Sequence, residues 1–315
     1  MQLKTQTNMN FFRSKLKNTS PVLFFITPLF LATISCSSSK NSIPEGAVLE
    51  IATEGYDFTE GPASDKEGNI YFTDQPNNTI IKYDVNGNTS VFMKEAGRAN
   101  GLYIDHQGNL LACADEHNQL WKINMTTKEV TVLLTDFKDK KFNGPNDLWV
   151  APDGGIYFTD PFYKRDYWNH DTPELEHKNV YYLAPGKKEA VVIADNLVQP
   201  NGIIGSKDGK TLFVADIGDQ KTYKYTINTD GSLTNRTLFT NLGSDGMTLD
   251  KNGNLYITGK GVSIFDTNGK LIKNIPVPQS WTANVTFGGK NQDILFITAM
   301  NTLYKIKTNT KGVRF

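Results

Sequence analysis

Sulfur and imidazole are scarce in this chain, with two cysteines and four histidines among 315 residues. No Cys-x-x-Cys or His-x-x-x-His spacing occurs, so a thiolate or paired-imidazole metal cage has no counterpart in the sequence. Gly-x-Ser-x-Gly is missing too, and His106, His117, His170 and His177 have no obvious nucleophile partner, which disfavours a serine-hydrolase route. Excess charge of either sign is lacking: lysine plus arginine and aspartate plus glutamate each number 33. With no basic stripe, nucleic acid is not an expected partner. No helical period of useful length appears, and no linker divides the chain.

The Pro21 to Ile34 apolar run has 14 residues, too few to span a bilayer comfortably. It follows Lys4, Arg13, Lys15 and Lys17 and ends at Thr33-Ile34-Ser35-Cys36, ahead of a serine-rich stretch. Small residues before a cysteine at such a place resemble a bacterial lipoprotein signal in which Cys36 becomes the lipidated first residue; an ordinary cleaved signal peptide is the other reading. Residues 1–36 are therefore expected to be a signal segment, 37–46 a tether and 47–315 the folded domain. That domain is expected to be exported to the cell envelope and to meet the membrane only through Cys36. Cys113 is left alone inside an apolar run, as core filler with no disulfide partner.

What the chain does have is a repeat. Short runs rich in β-branched and aromatic residues recur: Ile70-Tyr-Phe-Thr-Asp74, Leu110-Leu-Ala-Cys113, Ile156-Tyr-Phe-Thr-Asp160, Leu212-Phe-Val-Ala-Asp216, Leu255-Tyr-Ile-Thr258 and Ile294-Leu-Phe-Ile-Thr298. Five follow a turn glycine, and the intervals between Gly68, Gly108, Gly154, Gly209 and Gly253 are 40, 46, 55 and 44 residues. A period in the forties with several short strands per copy predicts an all-β, six-bladed propeller. Val48-Leu-Glu-Ile-Ala52 is an orphan strand ahead of the first copy, and the sixth copy lacks an outer strand after Thr302-Leu-Tyr-Lys-Ile-Lys307. Pairing the two closes the circle and removes both exposed edges.

Counting back eight residues from each turn glycine reaches a carboxylate or carboxamide every time: Glu60, Asn100, Asn146, Asn201 and Asp245. A sixth, Asn284, stands eight before Gln292, where the turn has drifted. Equivalent positions of a circular repeat converge on its axis, so these residues are expected to ring the channel as the active site. Asn100-Gly101, Asn201-Gly202 and Asp245-Gly246 are also turn dipeptides, a reading that holds best for Asn100 and Asn284. Hard oxygens without sulfur suit calcium, and magnesium or manganese less well; zinc stays open.

Glu60-Gly-Pro62, Asn143-Gly-Pro-Asn-Asp147, Pro200-Asn-Gly202, Asp245-Gly-Met247 and Asn284-Val-Thr-Phe-Gly-Gly289 together resemble the gluconolactonase and regucalcin (senescence marker protein) family. The resemblance implies a six-bladed propeller with a divalent metal in its channel, and hydrolysis of a lactone. It implies Glu60, Asn201 and Asp245 as metal ligands, with Asn146 binding the metal or contacting substrate. The regucalcin branch has an arginine where this chain has Gly144; Arg98, two residues before Asn100, is the candidate substitute. A metal-bound lactone carbonyl is polarised, and a weakly acidifying ion such as calcium calls for a protein base, assigned to Asp245 with Glu60 as fixed counter-charge.

The longest interval holds an insertion over 160–178 with Phe162, Tyr163, Tyr167, Trp168, His170 and His177. It reads either as a lid, with Tyr163 and Trp168 stacking on a sugar ring, or as an ordinary surface loop. Trp281 is a candidate for the pocket wall, or for packing between blades. A small-molecule lactone is the expected partner, with Arg98, Asn100, Asn146, Tyr163, Trp168 and Asn284 contacting it. Phosphotriester hydrolysis on the same metal and a non-catalytic binding propeller are the rival functions.

Overall fold

In the first repeat, burial falls outward from the axis. Thr59–Ser64 and Ile70–Asp74 are buried almost throughout, Thr79–Tyr83 is mixed, and Thr89–Lys94 is mostly exposed. A strand covered on both faces needs an unbroken apolar run, which is what Ile70-Tyr-Phe-Thr supplies. The same four-stranded antiparallel meander occurs six times in the computed structural model, which describes residues 42–313. The chain is the expected six-bladed propeller. The signal segment over 1–36, Cys36 and the tether up to residue 41 lie outside the described residues.

Each turn glycine has a local reason. Gly68 takes φ 92°, and its N–H donates to the Asp65 carbonyl at 3.0 Å while Asp65 Oδ1 accepts from Asn69 N–H at 2.9 Å. A left-handed residue is needed to reverse the chain there, and glycine adopts that conformation without a Cβ penalty. In the sixth repeat Gln292 stands in its place at φ 56°, its N–H donating to the Gly289 carbonyl at 2.9 Å. The drifted turn is thus a true copy made without glycine.

The ring closes as expected, slightly later in sequence. Glu50–Glu54 pairs antiparallel with Thr302–Lys307, placing Glu50 against Lys305 and completing the sixth sheet. Cys113 is buried and unpaired in the second blade.

The expected tether over 37–46 is too long at its far end. Ser42 and Ile43 are each 2% exposed, the Ser42 carbonyl accepts the Asn309 N–H at 2.8 Å, and Ile43 joins a core cluster with Tyr256, Val262 and Val285. An isoleucine followed by proline found an apolar seat between the last two blades that composition did not reveal. Burying such a side chain contributes about 1.5–3 kcal/mol. A chain starting at residue 47 should therefore melt below one starting at residue 42, by about 2–4 °C for each kcal/mol lost. Equal melting temperatures by calorimetry would reduce the segment to a passive tether.

Candidate active site

The axial ring is built by backbone. Glu60, Asn100 and Asn201 lie at the start of the innermost strands Thr59–Ser64, Ala99–Ile104 and Pro200–Gly205. Asn146 and Asp245 stand just ahead of Leu148–Val150 and Met247–Leu249. Threonines on the second strands rivet neighbouring blades: Thr73 Oγ1 donates to the Asn100 carbonyl at 3.1 Å and Thr159 Oγ1 to that of Asn201 at 2.7 Å. Asn100-Gly101 and Asn201-Gly202 are thus strand residues, and the turn reading fails. Their glycines allow close approach instead: a Cβ on Gly61 would meet the Asn100 carbonyl oxygen at 2.0 Å, and one on Gly101 would meet that of Asn146 at 2.6 Å.

The sixth position differs from the sequence count. Ala283 N–H donates to the Thr298 carbonyl at 2.9 Å, as Asn146 N–H does to that of Thr159 at 2.9 Å, so Ala283 holds the ring place. The strand Asn284–Gly288 has five residues where Leu148–Val150 has three, which carries Asn284 one step deeper than eight-residue counting suggests. Asn284 lies level with Asp147, each taking an N–H bond from the residue that follows it, Val285 at 2.8 Å and Leu148 at 2.9 Å. These two side chains fill the axis from opposite blades, over the bare Cα atoms of Gly246 and Gly101. Asn284 Nδ2 donates to Glu60 Oε2 at 3.3 Å, so Asn284 supports the ring from beneath. Burial pushes the Asp147 carboxyl up to about 7. Asp147 belonged to a recognised motif, but only its neighbour Asn146 had attracted a role.

Below this pair the channel widens into a cavity of about 690 Å³, walled by Leu102, Leu148, Ile203, Met247 and Val285. Above it lie the carboxylates. Burial first, and then the facing Asp245 charge, holds the Glu60 carboxyl well above the usual range, while burial also raises Asp245. Asn201 Nδ2 donates to the Tyr163 hydroxyl at 2.9 Å, which turns its buried Oδ1 away with no hydrogen-bond partner. A buried acceptor left open beside two crowded carboxyls is a donor set that fits a hard cation. Glu60, Asn146, Asn201 and Asp245 could hold it. Among the described residues no three His, Cys, Asp or Glu side chains form a cation cage, so carboxamide oxygens would have to complete the coordination.

The insertion crosses the mouth of the channel. Gln199 Nε2 donates to the Phe162 carbonyl at 2.9 Å and Asn143 Nδ2 to that of His177 at 3.1 Å, which pins both ends. Its middle reaches the second blade. There Asp115 Oδ2 accepts from Arg165 Nε at 2.9 Å and from the Tyr167 hydroxyl, and the Asp115 carbonyl accepts from Trp168 Nε1 at 2.9 Å. Asp115 thus latches the strap.

Tyr163 touches the ring through Asn201, whereas Trp168 packs at the Gly144 Cα and stacks on His170 at 4.8 Å. Gly144 leaves room for that indole, which a Cβ would approach at 3.0 Å. Arg98 is set apart from the ring. Its Nη1 donates to the Pro76 carbonyl at 2.6 Å and its guanidinium lies 4.6 Å from the Tyr167 ring centroid, so it props the strap from outside. Trp281, 41% exposed, is not packed between blades: its Nε1 donates to Asp245 Oδ2 at 2.6 Å. Asp115 and Arg165 had no sequence signal, because their contact joins different blades.

Comparison with known proteins follows the same lines. Residues 58–301 match the family described as SMP-30/Gluconolactonase/LRE-like region. The chain is 29% identical to the gluconolactonase of Zymomonas mobilis over 294 residues, 84% of this chain and 82% of that protein. It is 26% identical to lactonase drp35 of Staphylococcus saprophyticus, across 59% of this chain and 71% of the relative. Among solved structures, a gluconolactonase from Xanthomonas campestris superposes with a TM-score of 0.78 at 29% identity, covering 83% of this chain and 89% of the other.

The axial packing makes a testable claim. A Cβ on Gly246 would fall 1.9 Å from Asn284 Cγ, so Gly246→Ala should cost about 1–3 kcal/mol through overpacking. In an Asn284→Ala background most of that cost should vanish, as a double-mutant cycle by denaturant unfolding would register. Strictly additive losses would mean that Asn284 does not fill the space above Gly246.

Proposed function

The chain belongs to the SMP-30/Gluconolactonase/LRE-like family, and on that premise we propose that it hydrolyses a sugar lactone at the axial ring, with a divalent cation held there. The observation that carries this reading is the buried, unpartnered Oδ1 of Asn201, whose amide bonds Asp245, the carboxyl that crowds Glu60. Two carboxylates and several carboxamides favour calcium, which takes six to eight oxygens and tolerates irregular geometry. The gluconolactonase relatives support the substrate class. When bound, the cation polarises the lactone carbonyl and stabilises the charge that develops on its oxygen.

The remaining steps fall to side chains. Trp281 Nε1 holds Asp245 Oδ2, which leaves Oδ1 to accept the proton of the attacking water. Glu60 is clamped on one oxygen by the Gly61 N–H at 2.6 Å and by Asn284, and its other oxygen serves as fixed counter-charge. Asn100 and Asn146 offer amide contacts to the ring oxygens of the substrate, and Tyr163 covers it from above. Export and anchoring to the cell envelope through Cys36 complete the proposal and place the reaction outside the cytoplasm.

Asp245→Asn should retain the fold and most of the cation affinity while kcat drops by about 100-fold or more, since an amide coordinates but accepts no proton. A kcat within threefold of wild type would remove Asp245 from the base role. Glu60→Gln should weaken calcium binding by about tenfold or more, because a direct charge contact is lost. Unchanged affinity by calorimetry would take Glu60 out of the coordination set. Chelation should abolish opening of sugar lactones; turnover of paraoxon in preference to any lactone would favour phosphotriester chemistry instead.

A further inference from the structure

Among the charged side chains of the strap that roofs the channel, one lies against a residue that touches the ring. This is Arg165, its guanidinium carbon 5.5 Å from the ring centroid of Tyr163, the residue whose hydroxyl meets Asn201 of the ring. Because that hydroxyl accepts from Asn201 Nδ2 at 2.9 Å, one side chain separates the guanidinium from the ring. Its side chain is 23% exposed and that of Asp115 is 4% exposed, so the pair sits at the wall of the mouth rather than out in solvent.

Only Nε of Arg165 is engaged, by Asp115 Oδ2 at 2.9 Å. Among the described residues, neither terminal nitrogen donates to the protein. Asp115 also holds Tyr167 and Trp168, so the guanidinium is fixed in place before any ligand arrives. A planar fork with idle N–H donors, fixed by a buried carboxylate, is suited to bind a pair of neighbouring oxygens. The charge balance narrows which oxygens. Asp115 already neutralises Arg165, so the fork itself brings no net positive charge to a phosphate or carboxylate. Vicinal hydroxyls, neutral acceptors at the right spacing, fit the fork.

We propose that Arg165 is the specificity-determining residue of this site, selecting uncharged polyhydroxylated lactones by donating from its terminal nitrogens to adjacent hydroxyl oxygens of the substrate. The inference rests on the lactonase reading for its substrate but on the mouth geometry for its residue. Aromatic stacking by Tyr163 supplies surface without choosing between hydroxylated and bare rings, whereas hydrogen-bond donors left unpaired reject a ring that lacks the hydroxyls.

The test compares wild type with Arg165→Met and Arg165→Lys on glucono-δ-lactone, δ-valerolactone and 6-phosphogluconolactone. Calorimetric binding of 1,5-anhydroglucitol, a neutral ring with vicinal hydroxyls and no lactone, is the readout that needs no turnover. In Arg165→Met the KM for glucono-δ-lactone should rise about tenfold relative to that for δ-valerolactone, with kcat changing little, the scale of a charge-assisted hydrogen bond. Anhydroglucitol affinity should weaken in step. Arg165→Lys keeps a charge beside Asp115 without the planar fork and should recover only part of the discrimination. An unchanged KM ratio with unchanged anhydroglucitol binding overturns the proposal. So does an equal rise on both neutral lactones, which would make Arg165 a support of the strap, or a wild-type preference for the phosphorylated lactone. A wild type that opens no lactone yet binds anhydroglucitol, with that binding lost in Arg165→Met, would defeat the lactonase reading and leave the role of Arg165 standing. A wild type that neither opens nor binds these ligands defeats both.

Discussion

Six strands converge on one axis, and the closeness they reach there governs everything built upon it. Where three ring residues offer their carbonyls, the preceding blade presents almost nothing: Gly61 faces Asn100, Gly101 faces Asn146 and Gly202 faces Asp245. A Cβ at these points would lie 2.0 to 2.9 Å from a carbonyl oxygen. In those blades the contact that forbids a side chain on one residue aims the side chain before it into the channel, while in two others Asp147 and Asn284 fill the space. Packing and site are therefore one arrangement, and the oxygen ring is a by-product of how tightly the blades can meet.

That arrangement concentrates like charge. Glu60 and Asp245 share a desolvated space, which raises both carboxyls, and Asp147 lies just beneath them. Such crowding is unfavourable unless protons or a cation relieve it. Amide groups from Asn146, Asn201 and Asn284 surround the carboxyls without adding charge. The mouth repeats the logic in a balanced form, with Arg165 against Asp115, so the strap is held by an internal ion pair and several hydrogen bonds rather than by apolar packing alone.

Much of this was readable from residues with short-range meaning. The left-handed turn position marks each blade, and Gln292 takes it without glycine. Strand interiors such as Ile156-Tyr-Phe-Thr announced burial on both faces. Counting failed by one at Asn284, because the length of a strand depends on its partner and not on its own sequence. Asn-Gly pairs looked like turns because turn chemistry and close packing ask for the same small residue. Arg98 was drawn to the site by its sequence distance from Asn100, while Arg165, sixty-five residues beyond Asn100, is the arginine whose charge reaches Asp245. Contacts across blades leave no local trace, and Asp115 was invisible for that reason.

The seam that closes the ring also sets its timing. Glu50 pairs with Lys305, and Glu60 takes its bond from Asn284 across 224 residues of sequence. Strands made first must hold an unpaired edge until the last blade arrives, and long-range pairing of this kind folds slowly. No fragment of the chain that stops short of the sixth blade contains the complete site. The complete site therefore forms only when the last blade meets the first strand and the ring is shut.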